Sequence, residues 1–330
     1  MIVYRELSSL VRDLGIPAKT LYGVSNTVET HYHKVQLPKQ DGGVRELSVP
    51  DPILKHIQRR ITQLLLLPMP ISRYASAYRY GASTLRNAAP HAGQSGILKL
   101  DIRHFFDSIL YSTVKDKAFP PEIYAEPLRI LLSMLCYDRD VLPQGAPTSP
   151  WIANLVLRPF DERLGAWCRA RGVVYTRYCD DLAFSGTALD GVEERAEEGL
   201  RALGFRLNRA KRALCRDGQR SGSPAWWSTN GWPSPPAAAA DCGRSCTSAA
   251  DGGVEEHLRA AGLAEGREQC LRRLLGQMDF LASRPEPDSQ EAAEYRRWLL
   301  AEMRDGRLSG EAYGKRGAPE CGDVMASYCL

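Results

Sequence analysis

Three aspartates stand where their carboxylates could hold metal ions. Asp180 and Asp181 are adjacent within an apolar segment, and Asp101 ends a separate apolar run. Neighbouring residues of a strand point to opposite faces, so only a tight hairpin tip lets both Asp180 and Asp181 approach one site. Carboxylate oxygens suit Mg²⁺, and two such ions about 3.5–4 Å apart can activate an attacking hydroxyl and hold a leaving group in phosphoryl transfer. The pattern predicts two-metal chemistry on phosphates.

Three further motifs give this aspartate pair its context, since an isolated Asp-Asp pair is functional in roughly one case in twenty. In chain order they are LKLD at 98–101 followed by FF at 105–106, LPQGAPTSP at 142–150, and YCDD at 178–181. In order and spacing they resemble the motif series of reverse transcriptases. The resemblance covers about residues 1–220 and points to the bacterial retron-type enzymes.

The resemblance implies a catalytic centre. Asp101, Asp180 and Asp181 become the catalytic metal ligands for two Mg²⁺ ions, with Mn²⁺ as a substitute and the backbone carbonyl of Ile102 as an additional ligand. Phe106 matches the aromatic position that crowds the sugar 2′ carbon, where a rigid ring rejects an added hydroxyl by clash and so selects deoxynucleotides. The alternative for Phe106 is a core aromatic.

The resemblance also implies residues that bind the nucleotide. Gln144 matches the residue that lies against the incoming sugar, and Gly145 lets the chain approach it closely. Lys39 and Arg45 match residues that grip the triphosphate, although exposed turn charges are the simpler interpretation. Lys211, in the motif after the catalytic hairpin, is a second-tier nucleotide-binding candidate.

The segment Asn87-Ala88-Ala89-Pro90-His91 resembles the NAxxH element of retron enzymes, and favours them over intron maturases. We expect Asn87 and His91 to contact RNA. The alternative is a helix-capping Asn and a surface His with satisfied hydrogen bonds.

Hydrophobic periodicity predicts the elements that must position these residues. Helices are expected over 7–14, 52–67, 153–169 and 192–203, a strand over 96–100, and hairpins over 31–50 and 172–184. This order predicts an α/β (α+β) fold with helices on one sheet face. The resemblance makes it a right-hand polymerase, with fingers at 1–95, palm at 96–215, an irregular segment at 216–255, a helical thumb at 256–310 and a tail at 311–330.

Residues 221–254 depart from the family pattern. Relatives carry a strand beginning VTG here, whereas this chain has Trp226-Trp227 among Pro, Gly, Ser and Ala. Tryptophan has the single codon TGG, so a shifted frame across the pair contains GTG, a valine codon. We hypothesise that this segment is translated out of frame relative to the ancestor. A divergent Pro-rich insertion is the alternative.

Composition excludes some classes of protein. A 330-residue chain favours two or three packed subdomains, and 44% hydrophobic with 25% charged residues argues against wholesale disorder. The net charge of +4 is compatible with a polyanionic partner. Nine cysteines without a CxxC pair predict neither a zinc site nor a disulfide framework. We expect a cytoplasmic protein without a membrane anchor.

Together these features predict an RNA-directed DNA polymerase of retron type, acting on dNTPs. The resemblance implies a noncoding RNA template and a DNA product as partners, an unidentified effector protein, and a role in antiphage defence. Two alternatives stay open. One is a decayed, non-catalytic RNA-binding relative, and the other is a group II intron or diversity-generating reverse transcriptase.

Overall fold

The computed structural model describes residues 2–38, 43–79, 82, 84–216, 259, 266–282, 296–297, 299–301 and 303. These residues fall into two units, the first containing 2–216 and the second 259–303. The helices of the first unit are α1 (Leu7–Leu14), α2 (Ala18–Asn26), α3 (Pro52–Ile61), α4 (Thr84–Ala88), α5 (Tyr111–Ala118), α6 (Glu126–Leu135), α7 (Ser149–Ala170) and α8 (Val192–Arg201). Its strands are β1 (Tyr32–Pro38), β2 (Val44–Pro50), β3 (Gly96–Arg103), β4 (Val174–Tyr178), β5 (Asp181–Ser185), β6 (Arg206–Leu207) and β7 (Ala213–Arg216). Helix α9 (Arg267–Ala282) lies in the second unit.

Local sequence signals explain where the first helices begin and end. Helix α1 stops at Gly15, whose φ of 68° is the left-handed conformation that glycine adopts at low cost. Helix α3 begins after Asp51, which accepts a hydrogen bond from the Leu54 amide and so caps the helix. A π-helical turn, Thr62–Leu66, continues α3 to the end of the predicted helix.

The predicted N-terminal hairpin is confirmed. Strands β1 and β2 pair antiparallel from Tyr32 opposite Pro50 to Pro38 opposite Val44. Its turn, including Lys39, lies outside the described residues.

The second sheet has β3 at its centre. Strand β5 pairs with one edge of β3, while β7 and β6 pair with successive parts of the other edge, and β4 pairs with β5 on the outside. All of these pairings are antiparallel. The predicted hairpin over 172–184 is therefore confirmed as β4 and β5.

Strand β3 separates an apolar face from a polar one. Leu98, Leu100 and Ile102 are buried in the hydrophobic core, and alternation puts them on one face of the strand. Helix α7 contacts β4 and helix α8 contacts β6 of the same sheet. Lys99 and Asp101 point to the opposite face. The predicted mixed α/β fold class is confirmed. Helices α2, α4, α5 and α6 were not predicted from the sequence.

Helix α9 buries Cys270, Leu271 and Leu274 and lies within residues 256–310, for which the sequence predicts helical structure. The segment for which we hypothesise a shifted reading frame lies outside the described residues and stays a prediction.

Candidate active site

The register of the sheet brings the three predicted carboxylates together. Asp101 lies directly opposite Asp181 in the β3–β5 pairing, and Asp180 immediately precedes Asp181 on the tight β4–β5 turn. The Ile102 amide donates a hydrogen bond of 3.0 Å to the Asp180 carbonyl. This bond joins the turn to β3. The backbone therefore fixes the positions of the Cα atoms of the three aspartates relative to one another.

The carboxylates lie close enough to disturb one another. Partial removal from water raises the pKa of Asp180, and repulsion from Asp101 raises it further. Desolvation likewise raises the pKa of Asp181 to about 6, where the attraction of Lys99 opposes the repulsion of Asp180 and Asp101. Such shifts mean that negative charge is crowded and only partly compensated here.

Two lysines approach this cluster. Nζ of Lys211 lies 2.8 Å from Oδ2 of Asp101, and Nζ of Lys99 lies 3.3 Å from Oδ1 of Asp181. The pKa of Lys211 is raised because its bond to Asp101 and the other aspartates outweigh the cost of desolvation. Each lysine therefore offsets the charge of one carboxylate.

The three aspartates are chemically suited to bind a divalent cation. Their closely spaced carboxylates supply the oxygen ligands that hard divalent ions prefer. Within the described part of the chain, however, no group of three His, Cys, Asp or Glu side chains is arranged as a metal site. Two of the three aspartates are instead turned toward Lys99 and Lys211. An ion bound at this site would compete with Lys99 and Lys211 for these carboxylates.

A buried ion pair contacts the turn between β4 and β5. Arg177 on β4 and Asp161 on α7 are both fully buried, and Nη2 of Arg177 lies 2.7 Å from Oδ2 of Asp161. Nη1 of Arg177 donates to the backbone carbonyl of Cys179, at 3.0 Å. Cys179 has a φ of 61°, which non-glycine residues rarely adopt.

The loop at Gln144 and Gly145 packs against strand β2. The Ser48 amide donates to the Gln144 carbonyl at 2.7 Å. Gly145 has a φ of 110°, and a Cβ there would lie 3.1 Å from the Ser48 carbonyl oxygen. This position needs glycine both for its conformation and for its close approach to β2.

The other predicted nucleotide-binding residues have separate positions in the structure. Phe106 is partly buried, and its ring meets that of Phe105 edge to face with centroids 5.1 Å apart. Arg45 is exposed on β2, opposite Leu37. Lys39 lies outside the described residues.

Asn87 and His91, which the sequence predicts to contact RNA, bond to other residues of the protein, and their contact with RNA stays a prediction. Both side chains are buried. His91 bonds through Nδ1 to the Ser185 hydroxyl and through Nε2 to the Thr176 hydroxyl, at 2.7 and 2.8 Å. Asn87 accepts a hydrogen bond from the Ser76 hydroxyl. The alternative of a surface histidine is wrong, because His91 is buried and bonds to Thr176 on β4 and Ser185 on β5.

Comparisons with known proteins decide the family. Residues 37–230 match the family described as reverse transcriptase (RNA-dependent DNA polymerase). The chain belongs to the reverse transcriptase family.

The curated relatives of this reverse transcriptase are retron proteins. The retron Mx65 reverse transcriptase of Myxococcus xanthus is 35% identical over 66% of this chain and 56% of its own length. The retron Mx162 reverse transcriptase of the same organism is 32% identical, over 64% and 51%. The retron Ec83 reverse transcriptase of Escherichia coli is 35% identical, over 49% and 54%. The chain spans about half the length of these relatives, and the predicted retron type is confirmed.

The right-hand polymerase fold class is confirmed by the family match together with the mixed sheet and helices. Membership of the family also implies a divalent metal cofactor. Among solved structures, apo telomerase from Candida tropicalis truncated from its C-terminal domain aligns with a TM-score of 0.40 and 13% identity, over 59% of this chain and 52% of that one. That likeness is too weak to carry an argument. The fingers, palm and thumb boundaries stay predictions.

Among the described residues, no helix has both the length and the apolar character needed to cross a membrane.

Sequence reasoning missed three residues that contact the site. Lys99 could have been found, because it lies two positions before Asp101 and a strand puts both on one face. Arg177 stands within an apolar strand, where a charge needs a buried partner. No local signal identifies Asp161 as that partner.

Proposed function

We propose that this reverse transcriptase is an RNA-directed DNA polymerase of retron type, which transfers nucleotides from dNTPs onto a primer along a structured noncoding RNA template. The observation that carries the proposal is the meeting of three carboxylates at one point of the sheet. Asp101 faces Asp181 across two paired strands, and Asp180 precedes it on the turn. Desolvation and the repulsion between neighbouring carboxylates raise the pKa values of Asp180 and Asp181, and a bound cation would relieve that repulsion.

Asp101, Asp180 and Asp181 would hold two Mg²⁺ ions, with the Ile102 carbonyl as an additional ligand and Mn²⁺ as a substitute metal. When bound, the ions supply activation of the primer hydroxyl and charge stabilisation of the leaving pyrophosphate. Lys211, paired with Asp101, would then be released toward the phosphates of the nucleotide. A free ammonium there stabilises developing negative charge.

The neighbouring side chains would select and orient the nucleotide. Phe106 would lie under the sugar and exclude a 2′ hydroxyl. Gln144 would contact the same sugar, with its loop held against β2 by Ser48. Lys39 and Arg45 would bind the triphosphate from the β1–β2 hairpin, by charge-assisted hydrogen bonds.

The proposed partners are an RNA template, a DNA product and an effector protein. The template would be a folded noncoding RNA, recognised through its shape and phosphates, and the product a small DNA. The protein would act in the cytoplasm beside an effector protein in antiphage defence, a role that rests on the retron relatives alone.

The test is primer extension with labelled dNTPs on an RNA template in Mg²⁺. The wild-type protein is compared with an Asp180→Asn, Asp181→Asn double variant and with Asp116→Asn, which alters an exposed aspartate on α5. We expect extension by the wild type and by Asp116→Asn, and none by the double variant. Folded wild-type protein that adds no nucleotide would favour the decayed RNA-binding relative instead.

A further inference from the structure

The Arg177 guanidinium is completely enclosed beneath the catalytic turn. It lies on β4, three residues before Asp180, and has no exposed surface. A buried charge is costly unless it is paired and hydrogen-bonded. The hydrogen bonds and the ion pair of the guanidinium must therefore compensate the cost of burying its charge.

Most of the guanidinium's hydrogen bonds go to helix α7. Nε and Nη2 of Arg177 donate to the two carboxylate oxygens of Asp161 at 2.9 and 2.7 Å, a bidentate pair. Nη2 also donates to Oδ1 of Asn154 at 3.1 Å. Oδ1 of Asp161 accepts a further bond, of 2.8 Å, from the Tyr175 hydroxyl. The guanidinium is thus immobilised on a rigid helix.

The remaining nitrogen of the fork reaches the catalytic turn. Nη1 donates to the carbonyl of Cys179, which belongs to the peptide linking Cys179 to Asp180. The backbone of Cys179 is left-handed, with a φ of 61°, a conformation that persists only when its surroundings hold it. The Asp180 carbonyl is held in turn by the Ile102 amide. Both peptides that flank Asp180 are therefore anchored, one through Arg177 and one through β3.

A contribution to the stability of the fold is a weak explanation for a buried arginine–aspartate pair. A buried ion pair is often no more stabilising than apolar residues of similar volume. The fork of an arginine, however, can bind a carboxylate with two nitrogens and a carbonyl with the third, which the single ammonium of a lysine cannot do in one geometry.

We propose that Arg177, held by Asp161, is a positioning residue that fixes the Cys179–Asp180 peptide so that the Asp180 carboxylate is preorganised to bind metal beside Asp101 and Asp181. The inference rests on the proposed function, since it concerns the same metal site. Arg177 itself touches neither metal nor nucleotide. It acts through the backbone of the turn.

The test measures binding of Mn²⁺ alone, followed by the loss of the free-ion signal in electron paramagnetic resonance. Arg177→Lys keeps the charge but loses the fork, and Arg129→Lys is the matched control. Arg129 is also a buried arginine, bonded to the Phe119 carbonyl and to Asp116 on α5, away from the turn. We expect Mn²⁺ affinity to fall about tenfold to a hundredfold in Arg177→Lys, as when residues that orient metal ligands are changed, and to stay unchanged in Arg129→Lys.

A second variant keeps the test decisive if Arg177→Lys does not fold. Asp161→Asn retains the shape of the side chain but releases the guanidinium, and we expect weaker Mn²⁺ binding in the same direction. Amide hydrogen exchange at Asp180 should become faster in both variants and unchanged in Arg129→Lys.

The outcomes separate this inference from the function on which it rests. The Asp180→Asn, Asp181→Asn double variant gives the reference for a lost metal site. If that variant loses Mn²⁺ binding while folded Arg177→Lys and Asp161→Asn bind as tightly as the wild type, the positioning role is overturned and the metal site stands. If the double variant binds Mn²⁺ like the wild type, the metal site and the positioning role are both overturned.

Discussion

Nζ of Lys211 lies 2.8 Å from Oδ2 of Asp101, so a lysine occupies the side of the carboxylate cluster that a metal ion would need. The two residues are joined although β3 and the 3₁₀ turn Arg209–Lys211 are more than 100 positions apart in the chain. In the proposed metal site, the lysine and the cation would compete for this oxygen.

This competition predicts that Lys211→Gln strengthens binding of Mn²⁺ in the absence of nucleotide. The lysine side chain is 63% exposed, so solvent screens the effect, and we expect a gain of at most about fivefold, in line with exposed ion pairs. Primer extension should nevertheless slow, because the variant lacks an ammonium for the phosphates. The measurement is a Mn²⁺ titration beside a single-turnover extension assay.

Lys115→Gln serves as the control for Lys211→Gln, since Lys115 pairs with Glu126 on the surface of α5 and α6. Lys115→Gln should leave both the affinity for Mn²⁺ and the rate of primer extension unchanged. Weaker Mn²⁺ binding by Lys211→Gln would contradict the idea that the lysine competes with metal.

Phe106→Ala should reduce discrimination against ribonucleotides. The ring lies at the edge of the core against Phe105, so its removal opens space where a 2′ hydroxyl would fit. We expect the ratio of kcat/KM for dNTP to that for rNTP to fall about tenfold to a hundredfold, the range open to a steric pocket. Kinetics with matched dCTP and CTP check this, with Phe106→Tyr as the conservative variant. An unchanged ratio in Phe106→Ala would make Phe106 a core aromatic only.

Gly145→Ala should destabilise the protein and weaken nucleotide binding. The position has a φ of 110°, and the added Cβ would press on the Ser48 carbonyl oxygen. A left-handed conformation costs a residue with a Cβ about 1–2 kcal/mol. Displacement of the loop should also raise KM for dNTP through Gln144.

Gly23→Ala is the control for Gly145→Ala. It lies within α2, where an added Cβ meets nothing within 4 Å, and should stabilise the helix by about 0.5–1 kcal/mol. Urea unfolding of both variants gives the comparison. Equal stability of Gly145→Ala and the wild type would show that the loop accommodates the methyl group.

Buried His91 should make stability depend on pH. Burial lowers its pKa from 6.5 to about 4, so the unfolded state binds more protons between those two values. Stability is therefore complete above pH 6.5 and is lost as the pH falls toward 4, by up to about 3 kcal/mol. Urea unfolding at pH 7.5, 6 and 5 measures the change.

His91→Gln should remove this part of the pH dependence, while His33→Gln, on the exposed strand β1, should retain it. If wild type and His91→Gln lost equal stability between pH 7.5 and 5, His91 would not carry the effect.

The parts of the site that sequence predicted are those with local signals. Alternating residues around Asp41-Gly42-Gly43 were sufficient for the β1–β2 hairpin, because turn chemistry and strand period agree there. Asp101 and the Asp180-Asp181 pair stood out because the motifs that contain them resemble, in order and spacing, the motif series of reverse transcriptases.

The contacts that could not be predicted from the sequence depend on which helices and strands pack together. The bond of His91 to Thr176 and Ser185 joins residues 85 and 94 positions apart, so the sequence could not distinguish a surface histidine from a buried one. The pairing of Arg177 with Asp161 depends likewise on α7 lying against β4. Helix α6 was missed although Pro127 near its start is a common helix signal.

The most direct test of the central claim is which nucleotide the protein adds. A primer is annealed to four RNA templates that differ only in the first unpaired base, and each is offered single labelled dNTPs with Mg²⁺. If Asp101, Asp180 and Asp181 form a template-directed polymerase site, only the complementary dNTP is added on each template, and Asp101→Asn abolishes the addition. Addition that ignores the template, or that survives in folded Asp101→Asn, would contradict the account.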